Sequence, residues 1–368
     1  MVARKVVVVS GSVGAGHDGV AHELARRLRE LGHEVTVVDQ LEGFTAWARF
    51  VMATGYLMLI RTAPVLYDLT CWVVERSRVV QWVADLVCST SGPWLLRVTR
   101  EADVIVAVYP PACRALGRLR AGGQLSTPVV GYLTDPAPNF RWVHPALDAH
   151  LTAAKHTAQE VTRRYGVTAE ASGPLVDPRF RTVDRTSARD EVRASLGIAA
   201  DEVVALLLLG SLGMGSVDRA ARALSAADIR PVVLCARNER LRRRAGKIPG
   251  VTALGWRTDV DRLISAADVV VHNAGGLSLT ESLVVGVPAV TYAAIPGHGK
   301  ANARSLEASG TAPWARSPEQ LVAHVARLGR EQHHPWPVDQ ETSVAQILAH
   351  VAPTIERPTD LMDVRAVG

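Results

Sequence analysis

Short runs of consecutive apolar residues recur along this chain, each closed by a glycine-rich or polar turn and followed by apolar positions at helical spacing. An unbroken apolar run suits a strand covered on both faces, as in a parallel sheet flanked by helices. The first unit predicts a strand over 5–10, a glycine loop over 11–17, a helix over 19–31 carrying Val20, Leu24 and Leu28, and a strand over 34–39. Further strands are expected at 103–108, 128–133 and 149–153. The pattern then restarts, with a strand at 203–209, a second glycine loop at 210–215, and strands at 231–235, 251–254, 269–272 and 289–292. Two such series predict an α/β protein of two doubly wound, Rossmann-like domains. The expected domains are 1–182 and 200–350, with the prolines and charges of 173–191 read as a linker. Residues 351–368 are expected to form a tail that could pack back on the first domain.

Residues 46–98 break the alternation. They are rich in aromatic and aliphatic side chains (Trp47, Phe50, Tyr56, Tyr67, Trp72, Trp82, Trp94) and read as several helices. The longest uncharged run, 50–60, is too short to span a bilayer, which takes ~20 residues. Tryptophans among Arg49, Arg61, Arg76, Arg78 and Arg97, with few acids, suit helices lying in a membrane interface; a helical subdomain packed on the sheet is the competing reading.

Composition narrows the class. At 368 residues, 48% hydrophobic and 21% charged, the chain can build two cores and is not a disordered type. Four cysteines without a CxxC pair argue for a reducing compartment and against a thiolate zinc site. The first apolar run stops at once in glycines, so no secretory signal is expected. The net charge of +5 suggests an anionic partner or surface. The basic run Arg237, Arg240, Arg242, Arg243 and Arg244 lacks interleaved aromatics, so a solvated helix face is expected there, with an anionic-lipid contact as the next reading and a nucleic-acid site as the last; no nucleic-acid partner is expected. His333 and His334 have no third ligand in register and are read as a loop.

The candidate chemistry centres on 269–302. A buried strand runs into Gly275-Gly276 and then a helix, whose free amides and positive dipole end favour an anion. Ser278 can add a hydroxyl to that anion, and Glu281, one turn on, can accept from the two hydroxyls of a ribose. Phosphate and ribose together describe a nucleotide. In the first loop, GSVGAGH, the outer spacing of Gly11 and Gly16 fits a P-loop, but His17 and Asp18 occupy its lysine and Ser/Thr positions, which excludes it. Gly14-x-Gly16-x-x-Gly19 with Asp39 formally matches a dinucleotide fingerprint, although Gly11-Ser-Val intervenes after the strand. His17, at the mouth of a helix, is a candidate to touch substrate. Asp135, at the carboxyl end of the 128–133 strand, is a candidate base or orienter of one, against the reading of a turn-capping residue.

These motifs resemble one branch of the GT-B glycosyltransferases, two-domain enzymes with a central cleft. GSVGAGH (Gly11 to His17) resembles the amino-terminal loop of the monogalactosyl- and processive diglucosyl-diacylglycerol synthases. YLTDPAPNFRWVHPALD (Tyr132 to Asp148) is similar to their TD…HxxWxH…D segment, and GPLVDPRF (Gly173 to Phe180) to their GIPxxPxF element. Residues 254–310 resemble the donor half shared with the lipid II-forming N-acetylglucosaminyltransferase. The resemblance implies that Gly276, Leu277 and Ser278 hold the donor diphosphate and Glu281 the ribose, with Gly275 in the same turn. It implies further that Gly213 and Gly215 close on the phosphates and that Trp256 lies by the uracil. The family's PGQExxN becomes Pro296 to Asn302, in which His298 replaces the Gln and Gly299 the acid while Asn302 is kept. Asn139 stands where relatives have a histidine; with Gly14, Gly16 and Trp142 it is assigned to the acceptor side.

The expected reaction is an inverting transfer of a hexosyl group from a UDP-sugar to a hydroxyl acceptor, a lipid such as diacylglycerol. His17 is the first candidate base, because an imidazole titrates near neutrality. Asp135 is the second, or the group that orients His17. No Asp-x-Asp pair is read as the holder of a divalent ion, so helix amides are expected to meet the leaving charge with no metal and no cofactor beyond the donor substrate. The expected setting is cytoplasmic, peripheral on the inner, anionic face of the plasma membrane. A UDP-sugar epimerase, an NAD(P)-dependent oxidoreductase using Gly14 to Gly19, and a non-catalytic lipid-surface protein are the alternatives.

Overall fold

The computed structural model describes residues 3–13, 15–209 and 217–336. Two sheets of 6 parallel strands organise it. The first contains β1 (Lys5–Ser10), β2 (Glu34–Asp39), β3 (Val104–Ala107), β4 (Val129–Leu133), β5 (Ala149–Thr152) and β6 (Glu170–Ala171), in the order β2-β1-β3-β4-β5-β6. The second contains β7 (Val203–Leu208), β8 (Ile229–Leu234), β9 (Thr252–Leu254), β10 (Val269–His272), β11 (Ala289–Tyr292) and β12 (Trp314–Ala315), in the order β12-β11-β10-β7-β8-β9. In each, the strand order reverses beside the first strand of the lobe, β1 or β7, which makes the crevice at the strands' carboxyl ends the natural ligand site. β1 is buried from Val6 to Ser10, and β3, β4, β10 and β11 are buried throughout, as their unbroken apolar runs require. This is the GT-B plan, two such lobes with their crevices turned toward each other.

The segment expected to be a linker is folded. Asp184 caps the helix Arg185–Ser195 by accepting from the amides of Thr186 and Ser187. Val176, Phe180, Val192 and Ile198 lie in the core of the second lobe. Arg193 is buried and bridges Asp268 at 2.8 Å, which explains how so charged a stretch can pack. The structural second lobe therefore takes in chain well before residue 200.

The first helix also departs from expectation, running from Ala15 to Glu30, so that Gly16 and His17 lie in its first turn. The two glycines there serve contact between lobes. Leu277 of the second lobe packs on the first lobe's core, and a Cβ at Gly19 would stand 2.7 Å from its Cδ2. A dinucleotide fingerprint uses these glycines for strand packing and pyrophosphate approach; here their open side is filled by Leu277.

Residues 46–98 form consecutive helices, including Pro64–Arg76 and Arg78–Ser89. Among the described residues no helix is long and apolar enough to cross a membrane. Of the large apolar side chains that stand exposed, all but Leu31 and Trp256 fall between Trp47 and Leu86. The insert's charges are sorted. Its three acids turn inward: Asp68 pairs with Lys300, Glu75 with Arg164 and Asp85 with Arg114. Arg49, Arg61, Arg76, Arg78 and Arg97 are all exposed.

Candidate active site

His17 enters the cleft from the first turn of the Ala15–Glu30 helix, half-buried, with its ring 5.3 Å from Tyr109 and 5.9 Å from Trp142. Its Nδ1 lies 3.0 Å from the Thr134 hydroxyl. Burial holds its pKa below the usual imidazole value, against the opposing pull of Asp135, the Val108 carbonyl and Asp18. A neutral imidazole at physiological pH is the form able to take a proton.

Asp135 follows Thr134 at the end of β4, but it does not hydrogen-bond to His17. Its Oδ2 accepts from the Trp142 indole at 2.9 Å, and its Oδ1 from Asn302 Nδ2 at 3.1 Å. The orienter of the imidazole is thus Thr134, and Asp135 reaches His17 only through its field. Trp142, expected on the acceptor side, is fully buried in the first lobe's core and acts as the support of Asp135. Asn139 likewise turns inward: its side chain accepts from the Arg141 amide and caps the turn Phe140–Trp142.

Asn302 is also placed differently from a sugar contact. It is 1% exposed, and all its hydrogen-bonding atoms are engaged. Oδ1 accepts from the Ala137 amide at 3.0 Å, while Nδ2 donates to Asp135 and to the Ala274 carbonyl. It stitches the second lobe to the segment that carries Asp135. Ala274 needs that support, since its φ of 69° is a left-handed conformation that costs a residue with a Cβ ~1 kcal/mol or more.

Across the cleft, the helix Gly276–Val285 starts against the first lobe. A Cβ at Gly276 would stand 2.1 Å from the Thr134 carbonyl oxygen, so this glycine is required for the lobes to meet. Gly275, by contrast, is exposed and has open space around it. The amino ends of the Ala15–Glu30 and Gly276–Val285 helices therefore converge, with Leu277 against Gly16 and Gly19. Two positive dipole ends this close favour an anion beside them. Ser278 is half-buried in the second helix's first turn.

Glu281 has no hydrogen-bond partner among the described residues, and burial pushes its carboxyl up to about 8, against Arg179 and helped by Asp177. A carboxyl left in this condition is ready to accept from hydroxyls that a ligand brings. Trp256 is 61% exposed after β9, and the Arg237 guanidinium stands 4.8 Å over its ring. Arg237 is therefore a lid on an aromatic face, and no part of a plain solvated helix. His298 begins the helix His298–Ala308, with Nδ1 3.3 Å from the Tyr67 hydroxyl of the insert. Burial lowers its pKa, and His17 and Arg141 act in the same sense. Gly297 donates to Asp68 at 2.6 Å, so the insert grips this loop directly. Gly14, Gly213, Gly215 and the tail 351–368 lie outside the described residues.

The site thus brings together His17, Asp135, His298, Asn302 and the start of the Gly276–Val285 helix, with Glu281 and Trp256 further out on the second lobe. Sequence reasoning missed Thr134 and the inward acids Asp68 and Glu75. Only Thr134 carried a signal, as the immediate neighbour of Asp135 at a strand end.

Residues 17–172 match the family model of monogalactosyldiacylglycerol (MGDG) synthase. A processive diacylglycerol beta-glucosyltransferase of Bacillus cereus is 24% identical over 339 residues, covering 88% of this chain and 85% of its own. Among solved structures, MurG of Acinetobacter baumannii superposes with a TM-score of 0.59 at 18% identity, over 94% of this chain and 99% of its own. A Streptomyces glycosyltransferase complexed with thymidine diphosphate superposes at 0.56 with 15% identity, over 95% and 96%. The chain has the GT-B fold and is similar to the monogalactosyldiacylglycerol synthases and processive diacylglycerol glucosyltransferases.

Proposed function

We propose that the protein transfers a hexosyl group from a UDP-sugar, with inversion, to a hydroxyl of a lipid acceptor at an anionic membrane surface. The observation that carries this reading is the convergence of two helix amino ends beside His17. The diphosphate lies at the exposed Gly275 edge of that meeting point, where amides and the Ser278 hydroxyl face it. Glu281 receives the ribose hydroxyls, and the base stacks at Trp256 with Arg237 above it. His17 takes the proton of the acceptor hydroxyl at Nε2 while Thr134 steadies Nδ1. The field of Asp135 favours the imidazolium that forms. As the anomeric bond breaks, the growing charge on UDP meets fixed amide donors, which need no reorganisation and no divalent ion.

The acceptor's class is argued from the insert. Exposed Trp47, Trp72 and Trp82 with five outward arginines form a surface suited to the interface of an anionic bilayer, and the same helices touch the cleft through Tyr67 and Asp68. The names of similar proteins, which include a diacylglycerol glucosyltransferase, agree with a lipid acceptor. The test is incubation of the purified protein with a panel of UDP-sugars, with and without lipid vesicles, in EDTA. Release of UDP coupled to a sugar-bearing lipid is expected; strict dependence on magnesium, or product formed without acceptor, would refute the scheme.

A further inference from the structure

The segment 293–302 carries the chain from β11 into the helix His298–Ala308, with positive φ at Ala293 (51°) and Gly297 (68°). It is tied first to its own lobe. The Ile295 amide donates to the Asn273 carbonyl at 3.3 Å, and Asn302 Nδ2 donates to the Ala274 carbonyl at 3.1 Å. Asn273 and Ala274 lead straight into the open turn at Gly275, so a hexose joined to a diphosphate there has 295–302 beside it. His298 stands on this segment one helical turn before Asn302, on the same face of the helix. With Nδ1 toward the Tyr67 hydroxyl, its Nε2 has no hydrogen bond among the described residues.

The other hold on this segment comes from the first lobe. The helix His298–Ala308 starts without a cap of its own, because its N-cap residue, Gly297, has no side chain to accept from the first-turn amides. Asp68 of the insert helix Pro64–Arg76 brings a carboxylate to that end: Oδ1 accepts from the Gly297 amide at 2.6 Å, and Oδ2 from Lys300 Nζ. A negative group there also suits the helix dipole. The two segments meet closely, since a Cβ at Gly297 would stand 2.5 Å from Cys71 Sγ and 2.6 Å from Tyr67 Cε1. Two turns along the same face of the insert helix, Glu75 accepts from the Phe140 amide at 3.1 Å and pairs with Arg164. The insert helix is therefore anchored on the lobe that carries His17 and Asp135, and it grips the segment of the other lobe that carries His298.

We propose that Asp68 is a positioning residue for the donor's hexose: from the first lobe's insert it holds 297–302, and with it His298, against the sugar of a bound UDP-hexose. This rests on the UDP-sugar transferase reading above and adds the group that fixes the sugar pocket across the two lobes. The uridine and diphosphate contacts of that reading, at Trp256, Glu281 and Gly275 to Ser278, do not pass through Asp68. The test is calorimetry of the full chain with UDP, UDP-glucose and UDP-galactose for wild type, Asp68→Ala and Asp68→Asn, with amide hydrogen exchange of the free proteins. Asp68→Ala should weaken the better-bound sugar nucleotide by about tenfold, as suits loss of a charge-assisted hydrogen bond, with UDP affinity within about twofold. Exchange at 297–302 should quicken by about tenfold while that at 276–285 is unchanged. Asp68→Asn keeps an oxygen toward the Gly297 amide and should recover most of both losses.

Sugar-nucleotide affinity unchanged in Asp68→Ala overturns the proposal, and so does an equal loss for UDP and UDP-hexose, the mark of a general disturbance of the donor lobe. Exchange that quickens while the ratio of the two affinities stays as in wild type would make Asp68 a helix cap only, which overturns it as well. None of these readings depends on turnover. Failure of wild type to bind any of the three nucleotides would refute the transferase reading, and the exchange comparison would still decide whether Asp68 holds the segment.

Discussion

The two sides of the cleft are prepared in opposite ways. On the first lobe the polar groups already have protein partners: His17 rests on Thr134, and Asp135 is held between Trp142 and Asn302. On the second lobe Glu281 has none among the described residues, and Trp256 stands in solvent under Arg237. The contrast separates two tasks. A base must be aimed before substrate arrives, since misplacement by a fraction of an ångström lowers the rate, whereas a ligand brings its own hydroxyls and ring to the groups that bind it.

The sharpest way to break this contrast is His17→Ala. Transfer should fall by about 10²–10⁴-fold, the usual worth of a general base, while UDP affinity measured by calorimetry stays within about twofold. Equal loss of both would make His17 a ligand contact. Because burial holds its pKa below the ordinary ~6.5, the acid limb of the kcat/KM profile should lie below that pH and vanish in the variant.

Glu281→Gln should next cost UDP affinity about tenfold or more, because a neutral amide accepts more weakly from the ribose. The carboxyl also titrates on binding. In the free protein it is largely protonated at neutral pH, and hydroxyl donors favour the charged form. UDP binding at pH 7 should therefore release a proton, seen as a dependence of the heat on buffer ionisation and absent in the variant. Stability follows the same group: its contribution is fully present below pH 4.5, the ordinary value, and is lost as pH rises to about 8. Glu281→Gln should flatten that slope in thermal melts.

Asn302→Ala probes the seam between the two sides. It leaves the Ala137 amide and the Ala274 carbonyl unmatched in a buried place, so unfolding free energy should drop by ~1–3 kcal/mol. If Asn302 instead contacted the sugar, KM for the donor would rise with stability unchanged. The smallest effect is expected from Arg76→Ala on the exposed insert, about fivefold weaker sedimentation with anionic vesicles, from ~1 kcal/mol per cation near such a surface. UDP affinity should not move.

Much of this architecture was legible before any coordinates, for identifiable reasons. β-branched runs such as 5–10 and 269–272 have few alternatives to a buried parallel strand, and both match in full. The short edge strands Glu170–Ala171 and Trp314–Ala315 were not read, because two residues carry no period. Gly16 looked like loop, yet it lies in a helix whose start is stabilised by a contact with Leu277, distant in sequence. The 185–195 stretch looked like solvated linker because the acid that neutralises Arg193, Asp268, comes from another element. The site divides along the same line. His17 and Glu281 announce themselves by position at helix starts. The place of Asn302 in the seam became visible only with its partners Ala137, Asp135 and Ala274 around it, and a chain of letters does not record which groups each side chain has found.

The leucine lodged against Gly16 and Gly19 has a thermodynamic consequence. Any parting of the lobes must withdraw Leu277 from the first lobe's core and expose it to water, at ~1.5–3 kcal/mol for a fully buried leucine and proportionally less here. The contact weights the equilibrium toward the shut arrangement, and a nucleotide whose entry required the lobes to part would bind with its affinity reduced by the fraction of molecules that stand open. Trimming Leu277 to alanine would lift that handicap and speed nucleotide capture, even though it removes an apolar contact.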